Sequence, residues 1–113
     1  MRIVGLMSGT SADAIDAAVC EISGAPPQLQ ARIAHAITFP YPEGYQQRIV
    51  DVGQAGRVDE LCALNFGLGE LFAAAALRAI EEGGFTPADI DVIGSHGQTF
   101  WHAVDAVGNV SGT

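Results

Sequence analysis

Residues 2–22 read RIVGLMSGTSADAIDAAVCEI, and this stretch decides the fold. Its first part, Arg2–Met7, is an apolar run that predicts a short buried strand. The small polar residues Ser8–Ser11 predict a turn. Ala14–Ile22 predicts a second strand with apolar residues on both faces, a pattern typical of a central strand. Because the turn is short, we expect the two strands to pair as a hairpin.

The sequence after residue 22 predicts one more strand, two helices, a single helical turn and a final strand. These elements are a strand at Leu29–Phe39, a helix opened by Pro42 and ended by Gly53 to Gly56, a helix from Asp59 to Glu82, one helical turn after Thr86-Pro87, and a strand at Asp91–Ser95. In the third strand we expect Ala31, Ile33 and His35 to share one face. The tail, Ala103–Thr113, has no clear periodicity. Strands followed by helices and a further strand predict an α/β fold.

The long helix carries its own boundary signals. Asp59 is the expected N-cap, and Gly83-Gly84 is the expected stop. Gly67 and Gly69 lie inside the helix, where glycine costs about 1 kcal/mol relative to alanine. We therefore expect a neighbouring element to pack closely against both glycines.

Composition and charge exclude several classes of protein. The length of 113 residues and the hydrophobic content of 49% suit one domain with a core. The net charge of −8 disfavours nucleic acid or an anionic membrane as a partner. A polyanion such as ATP could still bind such a chain, but only where backbone N–H groups or a metal ion outweigh the negative potential of the whole protein. Cys20 and Cys62 form no metal or disulfide pattern and are expected to be small core residues. The N-terminal apolar run is too short for a signal peptide, and the Ala-rich stretch Leu71–Ile80 falls short of a membrane span, so we expect a cytoplasmic protein.

A hydroxyl-rich turn is the first candidate site. Residues 5–16 read GLMSGTSADAID, and Gly9 permits close backbone approach and positive φ. Consecutive N–H groups in such a turn can form an anion-binding nest, to which Thr10 and Ser11 add hydroxyls. Asp13 and Asp16 could hold Mg²⁺, directly or through water. No lysine is present, so this is not a Walker A loop, and an ordinary β-turn in which Asp13 bonds its own backbone remains the alternative.

Two motifs together resemble one family. Residues 5–16 resemble the phosphate loop of the anhydro-N-acetylmuramic acid kinases, which usually reads G-x-M-S-G-T-S-x-D-G-x-D. Residues 94–102, GSHGQTFWH, resemble that family's G-x-H-G-Q-T-x-W-H. The motifs occur in the right order with helices between them, and the resemblance extends from Arg2 to about His102.

The resemblance implies a fold and an activity. The family belongs to the actin, hexokinase and Hsp70 class of ATPases, whose two lobes have RNase H-like cores and bind MgATP between them. Residues 1–113 would then be the N-terminal portion of the first lobe. The implied reaction uses ATP to phosphorylate O6 of 1,6-anhydro-N-acetylmuramic acid while water opens the anhydro ring, giving N-acetylmuramic acid 6-phosphate in peptidoglycan recycling. A homodimer is possible for the full-length enzyme. The residues expected to face the ATP phosphates are Gly9, Thr10, Ser11, Ala12, Asp13, Ala14, Ile15 and Asp16.

This sequence departs from the family pattern in two respects. Ala14 stands where the family usually has glycine, which would cost about 1 kcal/mol if the backbone there had positive φ. The chain also lacks the D-T-G-P-G-N motif, the second phosphate motif and the adenosine-binding segment. We therefore expect the catalytic aspartate beyond Thr113, no catalytic residue within 1–113, and no turnover by these residues alone. A non-catalytic phosphate-binding or interaction module, complete at 113 residues, is the alternative from another class.

The second motif supplies candidate substrate contacts. His96 is expected to end a strand of an α/β fold, where ligand crevices form, and Gln98 follows it. Both side chains offer a donor and an acceptor, which suits the hydroxyls and amide of an amino sugar. The alternative is that His96 and Gln98 bond backbone groups and fix the loop. His35 is expected to be a core or edge residue, and His102 a packing or loop residue.

Overall fold

A four-stranded sheet covered on one face by two helices forms the body of the protein. The computed structural model describes all residues, Met1–Thr113. Its elements are β1 (Arg2–Ser8), β2 (Ala14–Ser23), β3 (Gln30–Pro40), α1 (Tyr45–Ala55), α2 (Val58–Glu82), a 3₁₀ turn (Pro87–Asp89), β4 (Val92–Gln98), β5 (Ala103–Val104) and β6 (Val110–Gly112). The α/β class expected from the sequence is confirmed.

Strand order in the main sheet is β3-β2-β1-β4. The first three strands form an antiparallel meander, and β4 returns to pair parallel with β1. The predicted hairpin of β1 and β2 and the central position of β2 are therefore confirmed. Helices cover only one face of β2, on which Ile15, Ala17 and Val19 are buried. Its other side chains, including Ala18 and Cys20, lie on an open face that no helix covers.

The core lies between the sheet and α2. This helix packs against β2, β3 and β1 because its apolar stripe recurs at helical spacing. The buried residues that it contributes are Leu64, Leu68, Phe72, Ala75, Ala76, Ala79 and Ile80. Helix α1 adds Ile49, which lies in the same cluster. The core therefore holds the sheet and both helices together as one unit.

The predicted face of β3 is wrong because the strand contains a β-bulge. Val19 pairs with His35, whereas the next residue, Cys20, pairs with Ile33, so Ala34 is an extra residue in β3. The bulge reverses the alternation of side chains. Ile33 consequently lies on the open face, 65% exposed. His35 lies on the helix side, where its Nε2 is 3.6 Å from the Glu82 carboxylate of α2.

The helix boundaries differ from the expected ones in small ways. The N-cap of α2 is Arg57 rather than Asp59, and the Glu60 carboxylate accepts a hydrogen bond from the Arg57 backbone N–H. Asp59 instead lies in the first turn and contacts the Arg57 guanidinium. Gly83 caps the C-terminus, as predicted.

Only one of the two glycines inside α2 has the expected close neighbour. A Cβ at Gly67 would lie 2.6 Å from the Tyr45 hydroxyl, whereas one at Gly69 would meet no atom within 4 Å. In α1, Gly53 lies within the helix rather than ending it, and a Cβ there would be 2.6 Å from the Phe100 carbonyl oxygen. The close packing predicted for the long helix is thus confirmed at Gly67 and wrong at Gly69.

The C-terminal part holds two further corrections. Strand β4 extends through Gln98, so His96 lies within the strand and does not end it. The tail, for which the sequence showed no periodicity, forms a short hairpin of β5 and β6. The Asp105 carboxylate accepts hydrogen bonds from the backbone N–H groups of Val107 and Asn109 in the turn. Strands this short contain too few residues to show alternation.

Helix α2 is long and apolar enough to cross a membrane by length and composition alone, with a mean hydropathy of 1.4 over 18 residues. The Ala-rich stretch that the sequence analysis judged too short is only part of this longer helix. Because core helices pass the same test and α2 packs on the sheet, this is weak evidence for a membrane span.

Candidate functional site

The loop between β1 and β2, residues 9–13, is a β-turn. The Ala12 N–H donates to the Gly9 carbonyl at 3.2 Å, with Thr10 and Ser11 as the two central residues. Ala12 is buried and has φ 51°, the only positive φ of a non-glycine residue in the protein. The turn thus places a small apolar side chain inward and its hydroxyl residues outward.

Neither Gly9 nor Ala14 has the left-handed conformation that was considered for it. Gly9 does not have positive φ, and the left-handed residue is Ala12. Ala14 is the first residue of β2 and pairs with Pro40, so the cost considered for alanine there does not arise. A Cβ at Gly9 would meet no atom within 4 Å. Glycine therefore leaves its own backbone exposed to a ligand, and the fold itself does not require it.

Backbone donors at the tip of the loop are free. The N–H groups of Thr10 and Ser11 donate to no other group of the protein, and both residues are exposed. Unpaired, neighbouring N–H groups in a turn attract anions because their partial positive charges add. The loop is thus a β-turn with two exposed, unpaired N–H groups, and the chemistry of these donors suits a phosphate group.

Two carboxylates accompany the loop. The Ser11 hydroxyl donates to Asp13 Oδ1 at 2.9 Å, so Asp13 bonds a side chain rather than its own backbone. Asp16 lies on the open face of β2 and accepts a hydrogen bond from the Thr38 hydroxyl at 2.8 Å. No group of three or more His, Cys, Asp or Glu side chains forms a metal site. Since Mg²⁺ prefers six oxygen ligands, these two carboxylates fit it only if water or phosphate oxygens complete the shell.

Three side chains brought from distant parts of the chain meet behind the loop. Gln98, at the end of β4, donates from its Nε2 to the carbonyls of Gly9 at 2.8 Å and Thr99 at 2.9 Å. Its Oε1 lies 2.9 Å from the Tyr41 hydroxyl and 2.7 Å from the Ser8 hydroxyl. We call Ser8, Tyr41 and Gln98 the amide clip. Burial raises the pKa of Tyr41, which keeps its hydroxyl protonated as a donor.

Further contacts hold the loop from the side of α1. The Tyr41 N–H donates to the Asp13 carbonyl at 3.2 Å, and Gln46 Nε2 donates to the Ser11 carbonyl at 2.8 Å. Ser8, Tyr41 and Gln46 were not predicted to belong to the site. Ser8 belongs to the loop motif itself, which was a usable signal, but nothing local marks Tyr41 or Gln46.

The structure does not bring His96 and Gln98 together. Ser95 lines a groove against α2, so the alternation of β4 places His96 on the opposite, open face. There His96 is exposed and makes no hydrogen bond in the protein. Gln98 lies on the helix side, where its Nε2 donates to two carbonyls and its Oε1 faces the Tyr41 and Ser8 hydroxyls. Of the two predicted sugar contacts, only His96 has free hydrogen-bonding atoms.

A grooved surface flanks each side of β4. On the open face, a cavity of about 500 Å³ is lined by residues including Met7, Asp16 and Thr38. On the helix side, a cavity of about 640 Å³ lies between α2 and the end of β4, with Asn65 and Gln98 among its lining. The loop and Asp16 thus share one end of the sheet with an accessible surface.

The fold and the loop define a class. A β1-loop-β2 hairpin with free N–H groups at its tip, extended by β3 and backed by a parallel β4, is a mixed α/β arrangement consistent with the N-terminal portion of an actin-like ATPase. The family model described as anhydro-N-acetylmuramic acid kinase matches residues 1–112, and the chain belongs to this family.

Individual relatives agree with this assignment. The chain is 48% identical over 102 residues to the anhydro-N-acetylmuramic acid kinase of Caldanaerobacter subterraneus subsp. tengcongensis, a match covering 88% of this chain and 26% of the relative. It is 39% identical over 104 residues to the enzyme of that name from Prochlorococcus marinus (strain MIT 9313), covering 90% of this chain and 26% of the relative. It is 38% identical over 111 residues to the enzyme of that name from Bacillus thuringiensis subsp. konkukian, a match covering 96% of this chain and 29% of the relative. The chain therefore spans about a quarter of the length of these curated relatives.

Proposed function

We propose that residues 1–113 are the N-terminal portion of the first lobe of an actin-like sugar kinase. The whole protein would be an ATP-dependent kinase of 1,6-anhydro-N-acetylmuramic acid that opens the anhydro ring with water and phosphorylates O6. The product is N-acetylmuramic acid 6-phosphate, an intermediate of peptidoglycan recycling in the cytoplasm. The names of the relatives and the match over nearly the whole chain support this proposal.

The free N–H groups of Thr10 and Ser11 are the observation that carries it. In a chain with a net charge of −8, a polyanion needs a local positive potential. The loop supplies that potential from backbone dipoles, and the bare Gly9 lets a phosphate approach. We propose that residues 9–16 contact the phosphates of ATP, with Asp13 and Asp16 near Mg²⁺ through water. The metal would neutralise phosphate charge when bound.

The chemistry needs more than this loop. Phosphoryl transfer depends on groups on both walls of a cleft that hold donor and acceptor in line. The loop can hold and orient phosphates, but the D-T-G-P-G-N motif that would carry the catalytic aspartate does not occur in residues 1–113. We therefore place the catalytic aspartate beyond Thr113 and propose that residues 1–113 alone do not turn over.

His96 is the proposed contact to the sugar. Its neutral imidazole offers one donor and one acceptor, which match hydroxyl and amide groups. It lies on the open face, as Asp16 does, and both belong to strands adjacent to β1. The proposed partners are thus ATP and a small amino sugar, with a homodimer of the full-length enzyme as a further possibility.

Coupled measurement of ADP release tests the proposal. The full-length protein should release ADP only when both 1,6-anhydro-N-acetylmuramic acid and Mg²⁺ are present, and residues 1–113 should release none. ADP release that does not depend on the sugar would overturn the substrate assignment. ATP binding without any turnover by the full-length protein would favour the non-catalytic module.

A further inference from the structure

The amide clip acts on one peptide unit of the loop. The Gly9 carbonyl accepts hydrogen bonds from both Ala12 N–H and Gln98 Nε2, so its direction is fixed from two sides. That carbonyl and the Thr10 N–H belong to the same trans peptide plane and point in opposite directions. Holding the Gly9 carbonyl toward the protein therefore directs the Thr10 N–H outward, toward the place proposed for phosphate.

A bulge in the parallel pairing places Gln98 for this contact. Leu6 pairs with Ser95, but Ser8 pairs with Gln98, so β4 has one residue more than β1 in this interval. Gly97 has φ 79°, a conformation that favours glycine. In a regular register Ser8 would face Gly97, which has no side chain. The bulge instead brings the Gln98 amide beside Ser8 and within reach of the loop.

The clip is rigid because its other members are enclosed. Ser8 is 2% and Tyr41 9% exposed, and both hydroxyls lie at the Gln98 Oε1. The Ser8 hydroxyl also lies 2.7 Å from the Ala14 carbonyl, and its single proton can be donated either to that carbonyl or to Gln98 Oε1. With its Nε2 donating to two carbonyls and its Oε1 accepting from Tyr41, the Gln98 amide is held in one orientation, because reversing it would set its oxygen against the carbonyls of Gly9 and Thr99.

We infer that Gln98 is a positioning residue for nucleotide binding, acting through the Gly9 carbonyl and the Thr10 N–H rather than by touching sugar. This inference rests on the proposed function, since it needs phosphate to bind at the loop. It assigns Gln98 to ATP affinity and leaves the direct contact to sugar with His96.

Two variants of the full-length protein test the inference. Gln98→Met keeps the length of the side chain and removes all its hydrogen bonds. Gln98→Glu keeps the acceptor but sets a carboxylate oxygen against the Gly9 carbonyl. The matched control is Gln47→Met, which makes the same change at an exposed position of α1 where the amide contacts only Asp51. Each protein is titrated calorimetrically with a non-hydrolysable ATP analogue plus Mg²⁺ and, separately, with the sugar, and its thermal midpoint is recorded.

We expect both Gln98 variants to bind the ATP analogue about tenfold or more weakly, with Gln98→Glu the weaker, because the Thr10 N–H is no longer directed. Sugar affinity should stay within about twofold of wild type, and Gln47→Met should change neither constant. Weaker sugar binding with unchanged ATP binding would overturn the inference. So would a lower thermal midpoint with both affinities unchanged, since Gln98 would then only support the fold. Failure of the wild-type protein to bind the ATP analogue would instead overturn the proposed function.

Discussion

Replacing Gly9 with valine separates the role of the loop in binding from its role in folding. A Cβ at Gly9 would meet no protein atom within 4 Å, and the residue is not in a left-handed conformation. The free energy of unfolding should therefore change by no more than about 0.5 kcal/mol, as for an unobtrusive surface substitution. The branched side chain would instead occupy the open space beside the N–H groups of Thr10 and Ser11.

The loss of nucleotide binding can be estimated from those donors. A hydrogen bond to a charged group contributes about 1.5–3 kcal/mol. Blocking one such bond to phosphate should weaken ATP binding by about 10- to 150-fold, and blocking both by more. Calorimetric titration of the full-length protein with a non-hydrolysable ATP analogue and Mg²⁺ measures this, with thermal denaturation run in parallel.

Gly69→Val is the matched control for Gly9→Val. It adds the same side chain at an exposed position of α2 where a Cβ also meets no atom within 4 Å, and it should leave the nucleotide Kd unchanged. A Gly9→Val protein with wild-type stability and a Kd within about twofold of wild type would refute the placement of phosphate at this loop.

Two further predictions concern stability. Gly53→Ala should destabilise the protein by about 1–3 kcal/mol in chemical denaturation, because the new methyl group would lie 2.6 Å from the backbone carbonyl of Phe100 and helix α1 would have to shift; an unchanged midpoint would show that α1 does not pack there. Hydrogen bonds first from Arg2 and then from Arg32 hold the pKa of Glu21 below its usual 4.5, so its stabilising effect is present above pH 4.5 and is lost as pH falls through the folded-state pKa. Glu21→Gln should therefore flatten the decline in thermal midpoint below pH 4.5, and parallel curves for the two proteins would contradict the pairing.

Local sequence pattern predicted the elements of the fold but not the defects in their pairing. Apolar runs and glycine stops located the three meander strands and α2 to within a residue or two, because burial and capping depend on neighbours in sequence. The bulges at Ala34 and Gly97 depend on the register between strands, which a single strand does not encode. The first bulge separates Ile33 and His35, which were expected to share a face, and the second separates Gln98 from His96.

In the candidate site, too, features set by neighbouring residues could be predicted, whereas contacts between distant residues could not. The position of the loop followed from its hydroxyls and from the strand before it. Because glycine is the usual choice for positive φ, nothing in the loop sequence indicated that the buried Ala12 takes that conformation. The partners of Gln98 lie at Ser8, Gly9 and Tyr41, far away in sequence, and only the closed sheet brings them together.

The separation in sequence between Ser8 and Gln98 of the amide clip affects when the loop reaches its final conformation. Ser8 and Gln98 are 90 residues apart, whereas β1, β2 and β3 follow one another directly. During synthesis the loop leaves the ribosome long before Gln98 has been made, and until then its Gly9 carbonyl has only a local partner. Pairing of β4 with β1 also closes the longest chain segment between paired strands of the sheet, so it has the largest cost in conformational entropy. If nucleotide binds at this loop as proposed, the order of the strands delays that binding until the meander has formed and β4 has joined it.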